Sequence, residues 1–147
     1  MKYSLLFLLL LGTIKVSAQT MTVYKSSWPV EETVDRIRDV IDEKQLVAFK
    51  TINHDELARQ HGVEIPPTRV ILFEEPSLMA ELVSCRQTTA IDLPMKILVW
   101  EENEDVYIGF FDPKLMKKRF MFNECDDILA SMSRILIRIV NEALKEG

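Results

Sequence analysis

Apolar residues recur along this chain with two different periods, and the switches between them mark out its elements. Met21 to Ser26 (MTVYKS) reads as a short first strand. From Pro29 to Lys44 the spacing lengthens. Val30, Val34, Ile37 and Ile41 form one stripe, with Glu31, Asp35, Arg38 and Asp42 off it, which predicts an amphipathic helix. Pro29 suits its first turn, and Glu31 and Glu32 suit the positive end of its dipole. Leu46 to Ile52 (LVAFKTI) predicts a second strand. Asn53, with Glu56 three residues on, predicts a capped short helix that stops near His61-Gly62. Pro66-Pro67 forbids further helix, Thr68 to Phe73 (TRVILF) forms a third strand, and Ser77 to Cys85 a short helix.

The stretch AIDLPMKILVWEE, Ala90 to Glu102, supplies a fourth strand that begins after Pro94. Met95, Ile97 and Val99 alternate with Lys96, Leu98 and Trp100, so one face is apolar and the other carries a cation. A turn through Glu102-Asn103-Glu104 leads into Val106 to Phe111 (VYIGFF), an antiparallel hairpin. Asp112-Pro113 then reads as an N-cap with Pro at the first helical position, opening a basic helix, KLMKKRF. The last helix, about Asp126 to Lys145, aligns Ile128, Met132, Ile135, Ile139 and Ala143. Leu129, Leu136, Val140 and Leu144 widen that face, through deep burial or through packing on a second copy of the chain. The fold class expected is a two-layer α+β domain, with a mixed sheet of about five strands packed on helices.

Composition changes this picture at the N-terminus. Lys2, the apolar run Leu5 to Leu11 and the small residues Val16-Ser17-Ala18 are ordered as a secretory signal peptide. That run is far short of the roughly 20 residues a spanning helix needs. Cleavage after Ala18 leaves 129 of the 147 residues, one domain, 19–147, and moves the formal net charge from −5 to −7 as Lys2 and Lys15 leave. The expected location is exported, periplasmic or secreted, with no membrane span after cleavage. An acidic chain without a basic run is a poor binder of nucleic acid and of anionic membranes. Scarce glycine argues against a phosphate-cradling loop. Cys85 and Cys125 are too few for a disulfide framework, and two readings of them stand, a single bridge or two independent buried thiols.

In order and spacing, ETVDRIRDVI, FKTINHDELARQHGVEIPPTRVILF, AIDLPMKILVWEE and FFDP resemble the bacterial and archaeal family called domain of unknown function 302. The resemblance spans about Thr33 to Pro113. Its strongest pieces are Asn53-His54, Pro66-Pro67-Thr68, Asp92-Leu93-Pro94 with Lys96 and Trp100, and Asp112-Pro113. It implies a compact α+β domain, often self-associating, and no general biochemical activity. This chain departs from the family pattern in three places. Glu74-Glu75-Pro76 stands where Gly-Asn-Pro is usual, Met79-Ala80 where Gly-Thr is usual, and Phe111 where Asn is usual before Asp-Pro.

Four residues are candidates for ligand binding: His54, Asp92, Lys96 and Asp112. His54 opens a helix, where a neutral imidazole suits a base or a ligand, and equally an extended cap. Asp92 before Leu93-Pro94 suits local capping of N–H groups. Lys96 is either paired or snorkels to water. The hairpin places Asp112 opposite the residues before Met95, so Asp92, Lys96 and Asp112 are expected to converge. Scattered His and Cys give no metal spacing. No cofactor fingerprint, Ser-His-Asp signature or activated cysteine raises an enzyme above a binding module. Three readings follow, in this order: a domain binding or sensing a small polar ligand, an enzyme using His54 and the carboxylates, and an assembly protein dimerising through its last helix.

Overall fold

Alternation along the fourth strand decides where the core lies. In the computed structural model, which describes residues 21–146, Met95, Ile97 and Val99 are buried while Lys96, Leu98 and Trp100 face the other way. The stretch expected to be a signal peptide lies outside the described residues. Five strands run β1 (Thr22–Ser26), β2 (Val47–Asn53), β3 (Thr68–Glu74), β4 (Met95–Glu102) and β5 (Asp105–Phe110). They form one sheet in the order β1-β5-β4-β3-β2. Every pairing is antiparallel, a correction to the mixed sheet expected from the sequence. Helices between the first three strands suggested parallel crossovers, but α1 (Val30–Glu43) carries the chain from one edge strand to the other, so no parallel neighbours arise.

The remaining helices are α2 (His54–Gln60), α3 (Pro76–Cys85), α4 (Leu115–Phe120) and α5 (Asp126–Ala143), with a 3₁₀ turn, Gln87–Asp92, before β4. Helices α1 and α5 pack on each other, and α1 also packs on β2, β3 and β4. The helical stripe of Val30, Val34, Ile37 and Ile41 is buried as its spacing predicts, against Ile71, Phe73, Ile97, Val99 and Ile108 of the sheet. Fully burying one such side chain contributes about 1.5–3 kcal/mol. The broad face of α5 is occupied within the chain: Leu129, Met132, Leu136, Ile139, Val140 and Ala143 are buried, and Ile128, Ile135 and Leu144 pack at the margin. Arg36 fastens the two long helices, its Nε donating to the Ala143 carbonyl at 2.7 Å, and Lys44 pairs with Glu142 at 2.5 Å.

Local signals held unevenly. Residues Asn103 and Glu104 both take positive φ (52° and 68°), the backbone of a two-residue hairpin turn between Glu102 and Asp105. Gly62, at φ 75°, ends α2. Asn53, however, makes no side-chain capping bond, and the Glu56 carboxylate accepts from Arg59 at 2.9 Å. Glu75 caps α3 by accepting from the Leu78 amide at 2.6 Å.

Cys85 and Cys125 form a disulfide, their Cα atoms 6.4 Å apart and so within the usual bridging range. It joins the end of α3 to the loop that precedes α5 across a separation of 40 residues. Closing a loop of that length restricts the unfolded chain, a contribution of roughly 2–4 kcal/mol. Denaturant unfolding with and without a reductant should show a loss of that order, and the Cys85→Ser/Cys125→Ser double variant should match the reduced protein. Equal midpoints for oxidised and reduced protein would refute the bridge's role.

Candidate functional site

Because α1 and α5 cover only one side of the sheet, the opposite face is left for other uses. Lys96, Leu98 and Trp100 of β4 lie on it. Cross-strand pairing sets Leu98 beside Val70 on one side and Gly109 on the other, and Trp100 beside Tyr107. The Trp100 and Tyr107 rings stack with centroids 5.4 Å apart. Where β5 ends and β4 begins, the chain turns at Asp112-Pro113 into α4, whose Leu115, Met116 and Arg119 border a cleft together with residues of this face. The cleft has a volume of about 340 Å³, with apolar walls from Met21, Val70, Leu98, Phe111 and Met116. Gly109 forms part of its floor. A Cβ there would lie 2.7 Å from the Met21 methyl and 3.0 Å from the Trp100 ring, so glycine permits the close approach of Met21.

Asp92, Lys96 and Asp112 all border this cleft, and Arg119 of α4 joins them. The charges do not form one cluster of mutual pairs. Asp92 neither caps local amides nor bonds Lys96 through its carboxylate. Both its oxygens accept from Arg119 Nη1, each at 2.8 Å. Lys96 Nζ donates instead to the backbone carbonyls of Asp92 at 2.5 Å and Pro94 at 2.7 Å. Asp112 Oδ1 accepts from the Lys114 amide at 3.0 Å and from the hydroxyl of Ser133, a buried residue of α5. It thus caps the turn that enters α4 and ties that turn to the core helix.

Although Lys96 counts as an exposed residue, the cleft walls displace enough water to push its ammonium below the ordinary value of 10.5. The Asp92 carboxylate opposes that shift, the Arg119 guanidinium adds to it, and Glu74 opposes it more weakly.

His54 does not line this cleft. It is exposed in the first turn of α2, directly after β2, and Asn53 pairs with Arg69 near the end of β3 where that strand begins. In an antiparallel sheet of this order, the end of β2 lies with the end of β4, whereas Asp112 lies with the start of β4. His54 and the three other candidates therefore occupy opposite ends of the sheet, so an acid–base site joining His54 to these carboxylates has no common location. Its neighbour Asp55 holds a structural contact, an ion pair with Arg69, whose other guanidinium nitrogen reaches Glu31 at 2.7 Å. That group fastens α2, β3 and α1. Among the described residues no three His, Cys, Asp or Glu side chains gather as a metal site.

Arg119 is the cleft residue that the sequence did not single out. KLMKKRF reads as a basic, solvated helix face, and only the fold-back of α4 toward the 3₁₀ turn gives its last cation a carboxylate to meet.

The family model described as "Domain of unknown function DUF302" matches residues 22–139. The chain belongs to this family. The fold agrees with that of another DUF302 protein. The crystal structure described as uncharacterized conserved protein DUF302 from Bacillus stearothermophilus superposes with a TM-score of 0.78, at 17% identity, over 84% of this chain and 97% of that one. Curated relatives of the chain are longer. It is 26% identical over 109 residues to the "Fluoride-specific ion channel FluC 1" of Brucella suis biovar 1, a match covering 74% of this chain and 43% of that protein. The "Fluoride-specific ion channel FluC 2" of Brucella melitensis biotype 1 matches at the same identity over the same length, with 40% of that protein covered. The chain spans about two-fifths of the length of these relatives. No described helix is long and apolar enough to cross a membrane. Phe111, just before Asp112-Pro113, lines the cleft and is 57% exposed.

The Lys96 environment gives a signed expectation. Its folded pKa lies below 10.5, so between the two values the unfolded chain holds the extra proton. Stability therefore rises with pH across that window, and Lys96→Met should remove the increment. Lysine side-chain NMR should find Lys96 titrating below 10.5, lower still in Asp92→Asn and higher in Arg119→Gln. Titration at or above 10.5 would contradict the cleft's effect on this group.

Proposed function

We propose that this chain is an exported domain that binds or senses a small ligand in the cleft between the uncovered sheet face and α4. The observation that carries the reading is the cleft's make-up: apolar walls with Asp92, Lys96, Asp112 and Arg119 gathered at its border. Ligand pockets commonly combine mostly apolar walls with a few placed polar groups, in volumes of about 300–1,000 Å³. At about 340 Å³ this one suits a small molecule. Two observations support export. The first 18 residues have the composition of a cleaved leader, and a disulfide such as Cys85–Cys125 persists in oxidising compartments.

Similarity to the fluoride channels favours the sensing form of this reading. In those longer proteins a segment like this one accompanies other sequence, and a ligand-responsive domain is a natural companion for a channel. Conduction is not carried over to this chain, which matches only two-fifths of their length. The assembly reading loses its motive, since the broad face of α5 is used inside the chain.

Protein purified from the envelope of its own cells and measured by native mass spectrometry should begin at Gln19 and carry a small adduct that dissociates on activation. Leu98→Trp, filling the cleft from the uncovered face of β4, should abolish the adduct without lowering the unfolding midpoint. An adduct retained in Leu98→Trp would place the ligand elsewhere, and an intact residue 1 would replace the cleaved leader by an uncleaved N-terminal anchor.

A further inference from the structure

We infer that the cleft takes a single-tailed organic anion, an apolar body ending in one negative charge, with its head on the Lys96 ammonium. This rests on the ligand-binding reading above and names the ligand class for that same site.

The four charged side chains at the cleft are not equivalent. Asp92 and Arg119 answer one another through two 2.8 Å contacts. Asp112 is engaged by the Ser133 hydroxyl and the Lys114 amide, and its position is fixed by the entry to α4. Of the two cations, Lys96 has its hydrogen bonds met by neutral groups, whereas Arg119 meets a carboxylate. The Lys96 Nζ is 2.5 Å and 2.7 Å from two backbone carbonyls, and among the described residues it enters no ion pair. An ammonium carries three N–H donors. Two are spent on carbonyls, which orient the group but leave its charge uncompensated, and the third remains for a ligand. The carboxylate nearest in sequence, that of Asp92, makes its direct contacts with Arg119 of α4 and acts on Lys96 only through its field.

Desolvation of Lys96 agrees with this geometry. Its ammonium stands where water is displaced, which is costly for a lone charge and favourable for a charge that meets an opposite one. A ligand oxygen with a full negative charge would supply the missing counter-ion. Beyond Lys96 the walls are Leu98, Val70, Met21 and Phe111, with no charged side chain among them. A second polar group on the ligand would be set against these walls unpaired, so the body of the ligand should be apolar.

The test compares three probes of equal chain length, decanoate, decan-1-ol and decylamine, on the oxidised mature protein by isothermal titration calorimetry. Decanoate should bind roughly 10–100-fold more tightly than the alcohol, the range expected for one charge-assisted hydrogen bond. Decylamine should bind more weakly than either. In Lys96→Met the decanoate and decanol affinities should become equal while decanol binding persists, and Lys96→Arg should restore the preference. If the alcohol or the amine binds the unsubstituted protein as tightly as decanoate, the cleft remains a ligand site and the anionic class is wrong. If none of the three binds, the ligand-site reading falls with it.

Discussion

One face of the sheet is covered and the other is not, and everything else about this molecule follows from that asymmetry. The strict alternation in β4 puts Met95, Ile97 and Val99 under α1 and α5, where they join a continuous core. The same alternation sends Lys96, Leu98 and Trp100 outward, onto a surface with no helical layer of its own. A sheet can leave one face to water when its outward residues are polar. Here they are largely apolar, and Met21, Trp100 stacked on Tyr107, and the cleft-lining residues of α4 lie beside them. The cleft is what these groups leave open.

Periodic elements were legible from residues alone because their signals are local. The stripe of α1, the two-residue hairpin turn and the wide face of α5 are each written within a few turns or a few alternating positions. The convergence of Asp92, Lys96 and Asp112 on one cleft was legible for the same reason, since a hairpin fixes its own register. The location of His54 was not. It depends on which way β2 runs relative to β4, two strands away, and that is decided by the crossover of α1 between opposite edges of the sheet. The Cys85–Cys125 bridge and the Asp92–Arg119 pair were equally out of reach, since both need the fold-back of α4 and its flanking loops.

Apparent alternatives at single residues were resolved by competition between partners. Asp92 had local amides available and took a guanidinium from another helix, a charge-assisted bond and so a stronger one. Glu56 had the Asn53 amide available and took Arg59 one turn along its own helix. Lys96 had a carboxylate in reach of its field and settled on carbonyls, because Arg119 already held that carboxylate. Each outcome is ordinary chemistry, yet none is visible from one residue type at one position.

The disulfide has a further meaning for the cleft. Asp92, Lys96, Asp112 and Arg119 all lie between Cys85 and Cys125 in sequence, together with both strands of the hairpin and the whole of α4. Every charged group of the candidate site thus belongs to one covalent circle, fastened at its neck. The residues outside that circle contribute the core helices and, to the cleft's lining, Met21, Val70 and Leu136, but none of its charges. A cut in any loop of the circle would leave both fragments joined, so the polar half of the site is physically inseparable even from a nicked chain.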